Sequence, residues 1–154
     1  MVIKKYTITE IYKLVATHKI KTMPQLEKIL NQCGISWDRY SKYARKMDAE
    51  IHKEKKYKLP NGVIIPVDYN FNISILNNLN SIPGRYVNMT CAGHINSQAF
   101  VRFVIKRKFK STKLPKVGGM SLKMDNGVLV IHRTEEGYAP ISWWNKVIEI
   151  VKEL

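Results

Sequence analysis

A chain of 154 residues, 45% of them hydrophobic, has the length for one domain, or for a small module beside a core domain, and can bury a core without covalent staples. Lys and Arg number 26 against 12 Asp and Glu, a net charge of +14 that repels itself and gains little unless it meets something anionic. The two cysteines, Cys33 and Cys91, form no disulfide framework and fit a reducing cytosol. No secretory signal is recognisable at the start, and no apolar run approaches the roughly 18 residues a membrane span needs.

The first fifty residues read as three helices. Thr7 and Glu10 stand at capping-box spacing, and Ile8, Ile11, Tyr12, Leu14 and Val15 supply a buried stripe. A second helix opens at Thr22, carries Pro24 in its first turn, buries Leu26, Ile29, Leu30 and Cys33, and stops at Gly34. Ser36 caps a third, whose apolar positions Trp37, Tyr40, Ala44, Met47 and Ile51 follow helical steps. Its other faces carry Arg39, Lys42, Arg45 and Lys46.

Near Lys53 the period changes from helix to strand. Pro60-Asn61-Gly62 separates two short strands in a hairpin pattern. A short helix is expected from Ile73 to Leu79, and a strand from Arg85 to Met89. A longer strand is expected over 99–110, with Val101, Phe103, Ile105 and Phe109 on one face and Arg102, Lys106, Lys108 and Lys110 on the other. A two-residue turn at Asn126-Gly127 pairs Met124 with Leu129 and Leu122 with Ile131. A last helix over 141–154 buries Trp144, Val147, Ile148 and Val151. The sum is an α+β fold. A helical module over residues 1–52 precedes a basic α+β domain over 53–154, with a mostly antiparallel sheet covered by the final helix.

Residues 30–43, LNQCGISWDRYSKY, resemble the helix-turn-helix of bacterial and phage DNA-binding proteins. Gly34 permits the left-handed turn, Ile35 plugs the corner and Ser36 caps the next helix. The pattern departs from that family at Leu30, where a small residue is usual. The resemblance implies base-edge contacts from Trp37, Asp38 and Arg39, and phosphate contacts from Ser41, Lys42 and Arg45, with Lys46 on the same helix. An ordinary capped helical hairpin is the alternative, and Trp37 also falls on the apolar stripe.

Between Asp68 and Asp125 there is no carboxylate side chain, while nine Lys and Arg residues occur there. Most fall within 102–116, so Arg102, Lys106, Lys108, Lys110, Lys113 and Lys116 form a candidate phosphate-tracking strand and loop. Phe103 and Phe109 have rings that could stack on bases, but their alternation with Val101 and Ile105 assigns them to packing.

Catalytic signals are thinner. His132-Arg133-Thr134 resembles half of the two-histidine phosphoesterase signature, and His94-Ile95-Asn96 is a broken second half. His94 and His132, with Thr134, therefore define an alternative, metal-independent ribonuclease or phosphodiesterase site with Lys106 or Arg133 stabilising charge. Cys91 and His94 are half a zinc site without a second pair, so no metal and no cofactor is expected. The leading expectation is a cytoplasmic DNA-binding protein of bacterial, phage or mobile-element type, with duplex DNA ahead of RNA as the partner. A basic inhibitor that docks on an acidic partner protein is a further alternative.

Overall fold

A computed structural model of the chain describes residues 5–67, 71–109 and 113–154. Polar caps start the first three helices where the sequence puts them. The Thr7 hydroxyl accepts from the Glu10 N–H at 3.2 Å and the Glu10 carboxylate accepts from the Thr7 N–H at 3.0 Å, which opens α1 (Ile8–Ala16). Thr22 caps α2 (Met23–Gln32), and Ser36 caps α3 (Trp37–Glu54) by accepting from the Arg39 N–H at 3.2 Å. Each cap satisfies a backbone donor that a helix start leaves unpaired. Ile11, Tyr12, Leu26, Leu30, Ile35 and Tyr40 make the buried centre of this helical part.

The hairpin β1 (Lys56–Lys58) and β2 (Ile64–Pro66) follows, then α4 (Ile73–Asn80), β3 (Arg85–Cys91), β4 (Gln98–Ile105), β5 (Met120–Asp125), β6 (Val128–Glu136) and α5 (Ile141–Glu153). The last four strands form an antiparallel sheet in the order β3-β4-β6-β5. Asn126 and Gly127 have φ of 49° and 81°, the paired positive values of a tight hairpin turn, and the expected pairs Met124–Leu129 and Leu122–Ile131 are present. The molecule is thus α+β.

One face of this sheet is closed. Val87, Val101, Phe103, Leu129 and Ile131 project from it into a buried cluster with Leu76 and Leu79 of α4 and Trp144, Val147 and Val151 of α5. Burial of each such side chain contributes roughly 1.5–3 kcal/mol. Asn80 of α4 accepts from the Val87 N–H through its Oδ1 at 2.7 Å, which ties the helix to β3.

β4 is shorter than the sequence predicts. It stops at Ile105, where the N–H groups of Lys106 and Arg107 both donate to the single Gly84 carbonyl, at 2.8 and 3.2 Å, and the one-to-one pairing of the ladder ends. The chain turns away there, so Lys106 and Lys108 lie past the strand end, and Lys110 falls outside the described residues.

Candidate nucleic-acid interfaces

The turn between α2 and α3 has the geometry its residues imply. Gly34 has φ of +66°, which L side chains with a Cβ adopt at a cost. Ile35 behind it is 7% exposed and belongs to the helical core. Tyr40 and Leu30 are buried on either side of the turn. Burial, and then the charge of Asp48, push the Tyr40 hydroxyl up to about 12; the Asp48 carboxylate also accepts from the Tyr12 hydroxyl at 2.5 Å.

The exposed part of α3 divides into two sides. Arg39, Lys42, Lys46 and Lys53 are all exposed and recur at helical spacing, a basic stripe facing solvent. Asp38 pairs with Lys42 at 3.2 Å and Glu50 with Lys53 at 3.7 Å, with all four side chains exposed, so neither pair holds its cation firmly. Trp37, Ser41, Arg45, Asp48 and His52 follow at steps of four and three along another side and line a cleft of about 840 Å³. Trp37 is 44% exposed with its ring 5.9 Å from that of Tyr40, so it is not a core residue. The sequence-predicted contacts on α3 are thereby split: Asp38, Arg39, Lys42 and Lys46 face out, while Trp37, Ser41 and Arg45 border the cleft.

The far wall of the cleft is the end of the sheet. It consists of the loop from Ala92 to Asn96 and the stretch from Arg133 to Tyr138. Gly93 has φ of +95°, and a Cβ there would run into the Gly137 carbonyl oxygen, so only glycine lets the two loops meet. Tyr138 stacks on His18 with ring centres 3.6 Å apart, and burial raises its hydroxyl above the ordinary tyrosine value. Arg133 spans the wall, pairing with Glu135 at 3.1 Å and donating to the Tyr138 carbonyl at 3.4 Å.

The carboxylate-free tract does not make one surface. Arg85 is structural: it is 8% exposed, donates to the Pro83 carbonyl at 2.8 Å and lies 5.3 Å from the centre of the Phe109 ring. Burial, and then the neighbouring Arg107, lower its pKa from the ordinary guanidinium value. After β4, Leu114 and Val117 pack on the core beneath the closed face. Lys113 shares a groove with Glu149 and Glu153 of α5, and Lys116 is exposed in the same loop. Arg102, Lys106 and Lys123 belong instead to the opposite side of the sheet.

That opposite side is open. Its register stacks three rows across the strands. Cys91, Phe100, His132 and Ser121 form the first, Met89, Arg102, Val130 and Lys123 the second, and Tyr86, Val104, Val128 and Asp125 the third. Phe100, Val104, Val128 and Val130 are half-buried by one another and pack into neither of the two buried clusters. The ring centres of Phe100 and His132 are 5.5 Å apart, and the Lys106 ammonium lies 5.2 Å from the centre of the Tyr86 ring. Phe103, by contrast, is fully buried, and Phe109 packs against the core. The packing that alternation assigns to Phe103 and Phe109 is thus found, and the ring on the cationic face is Phe100, which the sequence analysis did not single out. The signal was available, since Phe100 shares the parity of Arg102.

His94 lines the cleft, whereas His132 sits on the open face with Thr134 exposed beyond it. The alternative pair of catalytic histidines is therefore divided between two surfaces. Among the described residues no cluster of His, Cys, Asp or Glu has the makings of a metal site, and no helix is long and apolar enough to cross a membrane. No family model, curated protein or solved structure matches the chain.

Proposed function

We propose that the chain is a nucleic-acid-binding protein that lays α3 on duplex DNA, in the manner of bacterial, phage or mobile-element DNA-binding proteins. The observation that carries this reading is the basic stripe of Arg39, Lys42 and Lys46, held outward on a helix whose start is set by the Gly34 turn, the Ile35 plug and the Ser36 cap. A helix presented this way is about the width a major groove accepts. Lys42 and Lys46 neutralise phosphate, and Arg39 near the helix start is placed to reach a base edge. The charges of the loop beside α5 lie elsewhere on the molecule. They add to the long-range attraction rather than to the contacts.

The experiment is a titration of a mixed-sequence DNA duplex across a salt series. Each phosphate contact contributes about −0.9 to the slope of log K against log salt. Replacing Arg39, Lys42 and Lys46 together by alanine is expected to make that slope shallower by roughly 2–3 and to lower affinity at low salt. An unchanged slope in the triple variant would exclude α3 as the docking element.

A further inference from the structure

We infer that the open face of the four-stranded sheet is a binding platform for single-stranded nucleic acid, independent of any duplex bound on α3. The occupant is identified by the chemistry of the rows. Arg102 and Lys123 stand in a central row, between Phe100 and His132 on one side and Tyr86 on the other. Alternate residues along a strand recur about every 7 Å, roughly twice the 3.4 Å spacing of stacked bases along a duplex strand. Phe100 and Tyr86 stand in the first and third rows, two such steps apart or about 13 Å; rings so separated accept bases that have been pulled apart, and the cations between them meet the backbone that links those bases. A sheet face of four strands is wide enough for two or three bases laid out this way.

Charge supports the same occupant. On the three rows the only carboxylate is Asp125, at the hairpin end, and Lys106 stands over Tyr86 near that end. A second copy of this chain would bring the same cations against themselves, which disfavours self-association through this face. Arg102 adds a further mark. Its Nε is buried and has no hydrogen-bond partner, and the same holds for Oδ1 of Asn88, the extra residue of the bulge beside it. Buried polar atoms in folded proteins are almost always satisfied; a base edge lying over Arg102 supplies an acceptor to the one and an amino donor to the other, and a phosphate supplies the acceptor alone. The rings also lack the covering helix that aromatic residues in a sheet normally obtain, since both α4 and α5 are on the other side.

The test uses short fluorescein-labelled oligothymidine and oligouridine strands and a blunt DNA duplex, read by anisotropy at low and moderate salt. The full chain is expected to bind at least one of the two single strands, and which one it prefers separates DNA from RNA as the source. Phe100→Leu together with Tyr86→Leu keeps apolar volume on the face but removes the stacking surfaces. That variant is expected to lose on the order of tenfold or more in single-strand affinity while its melting temperature and its duplex binding stay near those of the parent. Arg102→Gln is expected to weaken single-strand binding and to make its salt slope shallower. Failure of both strands to bind at low salt would overturn the inference, as would unaltered single-strand affinity in the double ring variant. So would a concentration-dependent dimer in sedimentation that the ring variant abolishes. Loss of duplex binding alone, with single-strand binding intact, would count only against the role of α3.

Discussion

The cations of α3 and those of the sheet sit on surfaces of opposite shape. On α3 they project from a convex rod, separated by full helical turns and with no ring among the exposed stripe of Arg39, Lys42 and Lys46. On the sheet Arg102 and Lys123 lie in a flat field with Phe100, His132 and Tyr86 around them. A rod enters a groove whose bases remain paired; a flat field with rings suits bases that have left their stack. Charge alone does not distinguish the two surfaces, because either would attract any phosphate backbone. Shape and the aromatic neighbours do.

The comparison can be broken most severely from beneath the sheet. Trp144 is 1% exposed and makes edge contacts with Phe71 and Trp143 at 5.5 and 4.8 Å. Trp144→Ala is expected to cost about 3–5 kcal/mol of stability in denaturant unfolding, and to remove the flat surface while the α1–α3 cluster, which does not include it, keeps its helical signal. Simultaneous loss of all helix would show that the two buried clusters are one cooperative unit.

Tyr40 sharpens the comparison from the other side, because it holds α3 in place. In the unfolded chain its hydroxyl ionises near the ordinary tyrosine value of about 10, while in the fold it keeps its proton to about 12. Between those values the unfolded state binds fewer protons. The stabilisation from neutral Tyr40 is therefore complete below pH 10 and is lost as pH rises toward 12. The alkaline loss is on the order of 2 kcal/mol and is expected to be absent in Tyr40→Phe. Equal alkaline destabilisation in parent and variant would move the effect to another group.

A smaller effect is expected at the start of α3. Ser36→Ala removes the acceptor for the Arg39 N–H and is expected to cost about 1 kcal/mol. Because Arg39 is fixed by that cap, duplex binding is expected to weaken by a few-fold while single-strand binding stays level. An equal change in both would mean that the two surfaces are not separate.

Much of the fold was legible because the decisive signals are local. Thr7, Thr22 and Ser36 cap helices wherever they stand before an apolar stripe, and Asn126-Gly127 turns a hairpin through its own backbone preference. The strand alternation also assigned Val101 and Phe103 to the buried side correctly. What failed to read was the end of β4. The sequence continues its alternation through Lys106 and Lys108, but the N–H groups of Lys106 and Arg107 converge on the one carbonyl of Gly84, far upstream in the chain, and the pairing ends there. The split of the basic tract was equally hidden. Lys113 and Lys116 follow Arg102 closely in the chain, yet Leu114 and Val117 draw their loop to the helix side of the sheet.

By itself the sequence determined the helix starts, the tight turns, the parity of each strand and the existence of a positive field without carboxylates, since each of these depends on neighbouring residues or on composition. Only the tertiary structure decided what covers the apolar parity and that the other parity is left open. Both α4 and α5 pack on the same side of the sheet, so that one face became core and Phe100, Tyr86 and Arg102 were left on the other. Nothing in the order of residues along β4 states where a helix some forty residues later will lie. That placement follows from burying Trp144, Val147 and Val151 against whichever face offers the larger apolar area.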